Sequence, residues 1–60
     1  MTRGYRKTDY RATIYDGHTH IERRVYTDIF GYRYVKLNGF YFDIDLDLSK
    51  HLEVTVWYDG

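Results

Sequence analysis

The sequence predicts an all-β domain: a five-stranded antiparallel meander curled into a small barrel of SH3-like or OB-like proportions, with no long helix. Three observations carry this. Apolar and polar residues alternate through most of the chain, the two-residue period of a half-buried strand. Two dipeptides that favour tight hairpin turns, Asp16-Gly17 and Asn38-Gly39, sit inside alternating runs. No stretch holds the 3.6-residue period long enough to make a helix that covers a sheet.

In chain order, residues 1–6 carry no pairing signal and are expected to be flexible, the rest of the 60 residues forming one domain. A strand from Lys7 or Thr8 to Tyr15 turns at Asp16-Gly17 and returns. The resulting register sets Tyr15 against His18, Arg11 against Glu22 and Asp9 against Arg24, two cross-strand ion pairs worth ~0.2–1 kcal/mol each. Its inward stripe is Thr8, Tyr10, Ala12, Ile14, Thr19, Ile21, Arg23 and Val25. Thr27 to Gly31 breaks the alternation, and a turn or bulge there is expected to plug one end of the core with Ile29 or Phe30.

Tyr32 to Leu46 is the clearest unit, since Asn38 and Gly39 both tolerate the positive φ of a type I′ turn. Pairing runs outward from Leu37 with Phe40 to Tyr32 with Asp45. One face then carries Val35, Leu37, Phe40, Phe42, Ile44 and Leu46 as core, and the other Tyr32, Tyr34, Lys36, Tyr41, Asp43 and Asp45 as surface. Asp47 to His51 reads as a turn, with one helical turn capped by Asp47. A last strand, Leu52 to Tyr58, points Leu52, Val54, Val56 and Tyr58 inward and Trp57 outward. Arg23 and Arg33 fall on inward positions, so either they lie at open ends of the sheet and snorkel or the register differs there. An open sheet that packs on a second copy or a partner is the alternative to closure.

Composition limits function. With 43% apolar residues the core is small, of a size that seldom supplies more than ~3–5 kcal/mol. There are no cysteines, so neither a disulfide framework nor a thiolate metal cluster exists, which fits a cytoplasmic setting. No membrane-spanning run or secretory leader is apparent. Nine basic and nine acidic residues cancel, although the first half carries six bases against four acids and the second half three against five. Eight tyrosines are the strong departure; tyrosine suits strands, and it also suits recognition surfaces.

These features favour a non-enzymatic protein-binding module acting through Tyr32, Tyr34, Tyr41, Asp43, Asp45 and Trp57. Its expected partner is another protein, including a nucleic-acid enzyme whose basic groove the carboxylate row could occupy, with homodimerisation a further option. Chains this small, without cofactor or disulfide, are commonly regulators or inhibitors, phage proteins of the anti-CRISPR kind that block host defence enzymes among them. The rival is a nucleic-acid-binding barrel using Arg6, Lys7, Tyr10, Arg23 and Tyr26 to stack bases and track phosphates. No cofactor is expected. His18, His20 and Glu22 alternate along one strand as a weak metal candidate. Asp43, Asp45 and Asp47 begin a calcium-loop pattern that fails at Leu48, where glycine is needed, and at Val54, where glutamate is needed. A single serine, Ser49, and the small size leave little for catalysis.

Overall fold

A computed structural model describes residues 4–60. Its strands are β1 (Arg6–Tyr15), β2 (His20–Thr27), β3 (Arg33–Leu37), β4 (Phe40–Asp43) and β5 (Glu53–Tyr58), with one wide helical turn, Ile44–Leu48, before β5. All five strands form a single antiparallel sheet in the order β4-β3-β2-β1-β5. The all-β architecture is as the sequence predicts, but the barrel does not close. The meander holds through β4; β5 then crosses to pair with β1, which leaves β4 and β5 as the two free edges.

The expected flexible start, residues 1–6, lies outside the described residues at positions 1–3. Beyond them it is ordered: Arg6 begins β1, and the Tyr5 ring stacks on Tyr41 at 3.8 Å.

The second hairpin follows its turn chemistry. Asn38 and Gly39 have φ of 52° and 86°, and the ladder pairs Leu37 with Phe40, Lys36 with Tyr41, Val35 with Phe42 and Tyr34 with Asp43. There it stops. The pairs expected for Arg33 with Ile44 and Tyr32 with Asp45 are absent, because Asp43 ends the strand by capping a turn: its carboxylate accepts from the Leu46 amide at 2.7 Å. Asp47 returns the contact, accepting from the Asp43 amide at 3.3 Å, and the Ser49 amide closes the turn on the Ile44 carbonyl at 2.8 Å. The helical turn therefore starts earlier than predicted, and its cap is Asp43, not Asp47.

The first hairpin is shifted by two residues. Tyr15 faces His20, Thr13 faces Glu22 and Arg11 faces Arg24. The Asp16 carboxylate takes the His18 and Thr19 amides at 2.8 and 2.9 Å, so a four-residue loop replaces the two-residue turn. Shifting by two preserves the faces. Arg11 still reaches Glu22, diagonally at 3.9 Å, but Arg24 pairs with Asp59 at 3.6 Å and not with Asp9.

The core gathers Ala12, Ile14, Val25, Val35, Ile44 and Leu48 on one face, with Leu37, Leu52, Val54 and Val56 partly covered around them. Alternation thus assigns faces correctly, whereas burial departs from it. Phe42 is 36% exposed and Phe40 69%, because they stand on the edge strand, beyond the turn that covers the centre. Tyr34 is 7% exposed on the opposite face, so β3 is dry on both sides at Tyr34 and Val35. Arg33 snorkels to Asp45 at 2.7 Å, and Arg23 is exposed.

Ile29 and Phe30 do not plug the core; they are 76% and 74% exposed. The cause is Asp28, a buried carboxylate that accepts from the amides of Phe30 and Tyr32 at 2.9 and 3.1 Å and from the Tyr34 hydroxyl at 2.8 Å. The loop is cinched around this one side chain, and its apolar pair is turned outward. No helix among the described residues is long and apolar enough to cross a membrane.

Candidate functional site

The site begins with an irregularity in β1. Lys7 faces Tyr26 and Arg11 faces Arg24, so between them β1 has two residues more than β2. Thr8 fills the gap in the ladder, its hydroxyl donating to the Val25 carbonyl at 2.6 Å and accepting from the Tyr10 amide at 3.1 Å. Such a bulge bends its strand. Here it accompanies a groove of about 520 Å³ on the core face, within the range of small-ligand and side-chain pockets.

The groove floor is Val25 and Val56, and one wall is the edge-on pair Tyr10 and Tyr58, ring centres 5.3 Å apart. Thr27 and Arg33 close the other side. The Arg33 guanidinium donates to the Asp45 carboxylate at 2.7 Å, which holds its pKa above the usual value and leaves this rim charge ion-paired. Gly31 also lines the groove, which places the Asp28 loop at its mouth with Ile29, Phe30 and Tyr32 exposed on either side of that glycine. Apolar contact is the groove's main offering, with tyrosine hydroxyls, the Asp9 carboxylate and the ion-paired Arg33 guanidinium for orientation.

The residues expected to bind protein do not share one surface. Tyr34 is buried, and Asp43 is buried as the cap of the helical turn. Tyr41 is half-buried between Tyr5 and Tyr26. Asp45 is exposed and paired with Arg33; Tyr32 is exposed beside the groove mouth. Trp57 points outward as expected, its indole N–H donating to the Thr13 hydroxyl at 2.9 Å, but β5 is four strand positions from β4. At ~4.8 Å per strand that is about 19 Å along the sheet. Of the three tyrosines expected to form a contact patch, Tyr34 and Tyr41 instead join a packed cluster with Tyr5 and Tyr26, and Tyr32 stays exposed apart from it.

The rival set is divided as well. Tyr10 and Arg23 lie on the core face, Tyr26 and Lys7 on the other, and Arg6 is exposed at the start of β1. His20 stacks on Tyr15 at 4.4 Å while His18 lies in the loop, and Glu22 pairs with Arg11. Among the described residues no three His, Cys, Asp or Glu side chains are placed to hold a metal ion, so His18, His20 and Glu22 do not form the trio their spacing allowed.

Sequence reasoning missed the role of Asp28 in the loop and that of Tyr58 as a groove wall. The signal for Asp28 was present in Asp28-Ile29-Phe30-Gly31, since aspartate three residues before glycine suits an Asx-type turn. No family model, curated protein or solved structure matches the chain.

Proposed function

We propose that this chain is a non-enzymatic protein-binding module that takes an apolar side chain of a partner protein into the groove between Tyr10, Tyr58, Val25 and Val56. One observation carries the reading: Tyr10 and Tyr58 stay exposed while lining one apolar groove, and Gly31, which also lines it, is flanked in the chain by the exposed Phe30 and Tyr32. Burying a side chain of this size is worth ~1.5–3 kcal/mol. For a domain whose whole stability is of the order of ~3–5 kcal/mol, leaving several such groups in water is a large concession. Grouped exposure of this kind marks interaction surfaces. Tyrosine and an arginine at the rim are the residue types that dominate binding hot spots.

The working surface is thus the groove and its loop, with Tyr32 the one member of the expected set that belongs to it. Regulation or inhibition of a partner enzyme is the biological role that size and composition favour. Photocrosslinking tests the assignment: a photoreactive phenylalanine analogue is placed at Phe30, at Tyr58 and, as a control on the other face, at Thr55. Adducts with the same protein from positions 30 and 58, but not 55, support the groove. Adducts from position 55 alone contradict it.

A further inference from the structure

The sheet has two free edges, and the phase of their hydrogen bonds makes them unlike. Along an antiparallel strand, alternate residues turn N–H and C=O to one neighbour and then to the other. The Asp59 amide donates to the Asp9 carbonyl at 2.8 Å, directly across the ladder, so Glu53, Thr55 and Trp57 bond to β1 in the same phase. Val54, Val56 and Tyr58 therefore turn their backbone groups to the free edge, where nothing among the described residues bonds to them. On β4 the two-residue turn makes Leu37 with Phe40 a bonded pair, which leaves Tyr41 and Asp43 facing outward. The Asp47 carboxylate already takes the Asp43 amide at 3.3 Å, so Tyr41 alone offers a free N–H there. Exposed edges are usually blunted by lysine, proline or a bulge. β5 has none of these; it pairs with β1 without a break and holds a single charge, Glu53.

The charges at the two ends of β5 point to its occupant. Lys50 and His51, in the turn before it, are exposed and meet no carboxylate among the described residues. Asp59 follows it, 3.6 Å from Arg24 with 40% of its side chain open. Antiparallel pairing of two copies brings the start of one strand to the end of the other, so each basic turn meets an acidic end. Charge also selects the register. Aligning Val56 with Val56 would set Glu53 against Asp59 twice, like charges directly opposite. A slip of two residues aligns Val54 with Val56, keeps the outward groups in bonding phase, and brings His51 opposite Asp59 and Leu52 opposite the exposed Tyr58. Thr55 then faces Thr55 on the symmetry axis. Oligomerisation is a usual supplement for a core this small.

We propose that two copies of this chain pair β5 with β5 about a two-fold axis at Thr55, joining their sheets into one. Such an interface is isologous and closes at two copies. The proposal uses an edge of the sheet and does not rest on the groove's taking a side chain of another protein.

Sedimentation velocity of the whole chain across a range of concentrations tests this, with hydrogen exchange read at single amides. A dimer is expected, with the Val54, Val56 and Tyr58 amides gaining protection as concentration rises and the Tyr41 amide gaining none. Thr55→Lys, at an exposed position on the face away from the core, places two like charges across the axis and should weaken the dimer at least tenfold. The chain has no cysteine of its own, so Thr55→Cys should oxidise to a disulfide-linked dimer, whereas Glu53→Cys, opposite Trp57, should not. A chain that stays monomeric with its Val54 and Val56 amides unprotected leaves the edge to some other protein and overturns the proposal. So does protection at Tyr41 in place of β5, a dimer unchanged by Thr55→Lys, or linkage through Glu53→Cys as ready as through Thr55→Cys. In the photocrosslinking, a self-adduct from position 55 or 58 has twice the mass of the chain and is scored apart from a partner adduct, so the groove and the dimer fail separately.

Discussion

Tyr34 and Asp28 show how much depends on single contacts in a chain this small. Their hydrogen bond is buried, and the same carboxylate holds the loop that frames the groove. Tyr34→Phe keeps the ring and removes the hydroxyl, and should cost about 1–3 kcal/mol in urea unfolding, a large share of the total. A cost within ~0.3 kcal/mol of zero would mean that the hydroxyl contributes nothing net. The face on which Tyr34 stands was legible from the alternation of β3. Its burial was not, because the groups that cover it come from Tyr5, Asp28 and Tyr41, and strand periodicity says nothing of what packs on a face. Phe42 is the converse case: apolar and on the core face, yet on an edge strand with too little above it.

At the scale of the element, the two hairpins differ in how openly they declare themselves. Asn38-Gly39 leaves the backbone one good solution, and four predicted pairs are found. Asp16-Gly17 offers two, since Asp16 can occupy a tight turn or accept amides from a longer loop, and the second prevails. Those amide contacts, from Thr19 and then His18, hold the Asp16 carboxyl below its ordinary value. A lowered folded-state pKa means that the contribution is intact above the unfolded value of ~3.9 and is lost as pH falls through the folded one. Followed by NMR, the His18 and Thr19 amides should therefore titrate with a midpoint below ~3.9. A midpoint at or above it would show that the loop contacts do not form in solution. The cap of the helical turn was misplaced by four residues for a related reason: Asp43, Asp45 and Asp47 are all good caps, and only the packing of Ile44 and Leu48 into the core selects Asp43.

Across the whole molecule, one sheet with two free edges is curled around six buried residues, and the remaining apolar side chains are left at its rims. The fold class was legible because strand period and turn chemistry agree along most of the chain. The site was not, since the groove depends on a two-residue bulge in β1 and a loop knotted by Asp28, neither of which alters the alternation. The assignment of Tyr10 and Tyr58 to the core face was correct, but both are exposed, and their pairing beside an open groove emerges only when β5 crosses to β1. The central claim is that this groove, and not the packed tyrosine cluster on the opposite face, is where a partner protein binds. The most direct test compares capture of the crosslinked partner by Tyr10→Ser with Tyr58→Ser and by Lys36→Ser with Thr55→Ser, each pair combined in one folded chain. The account predicts that capture is lost in the first pair and kept in the second; capture kept in the first and lost in the second would contradict it.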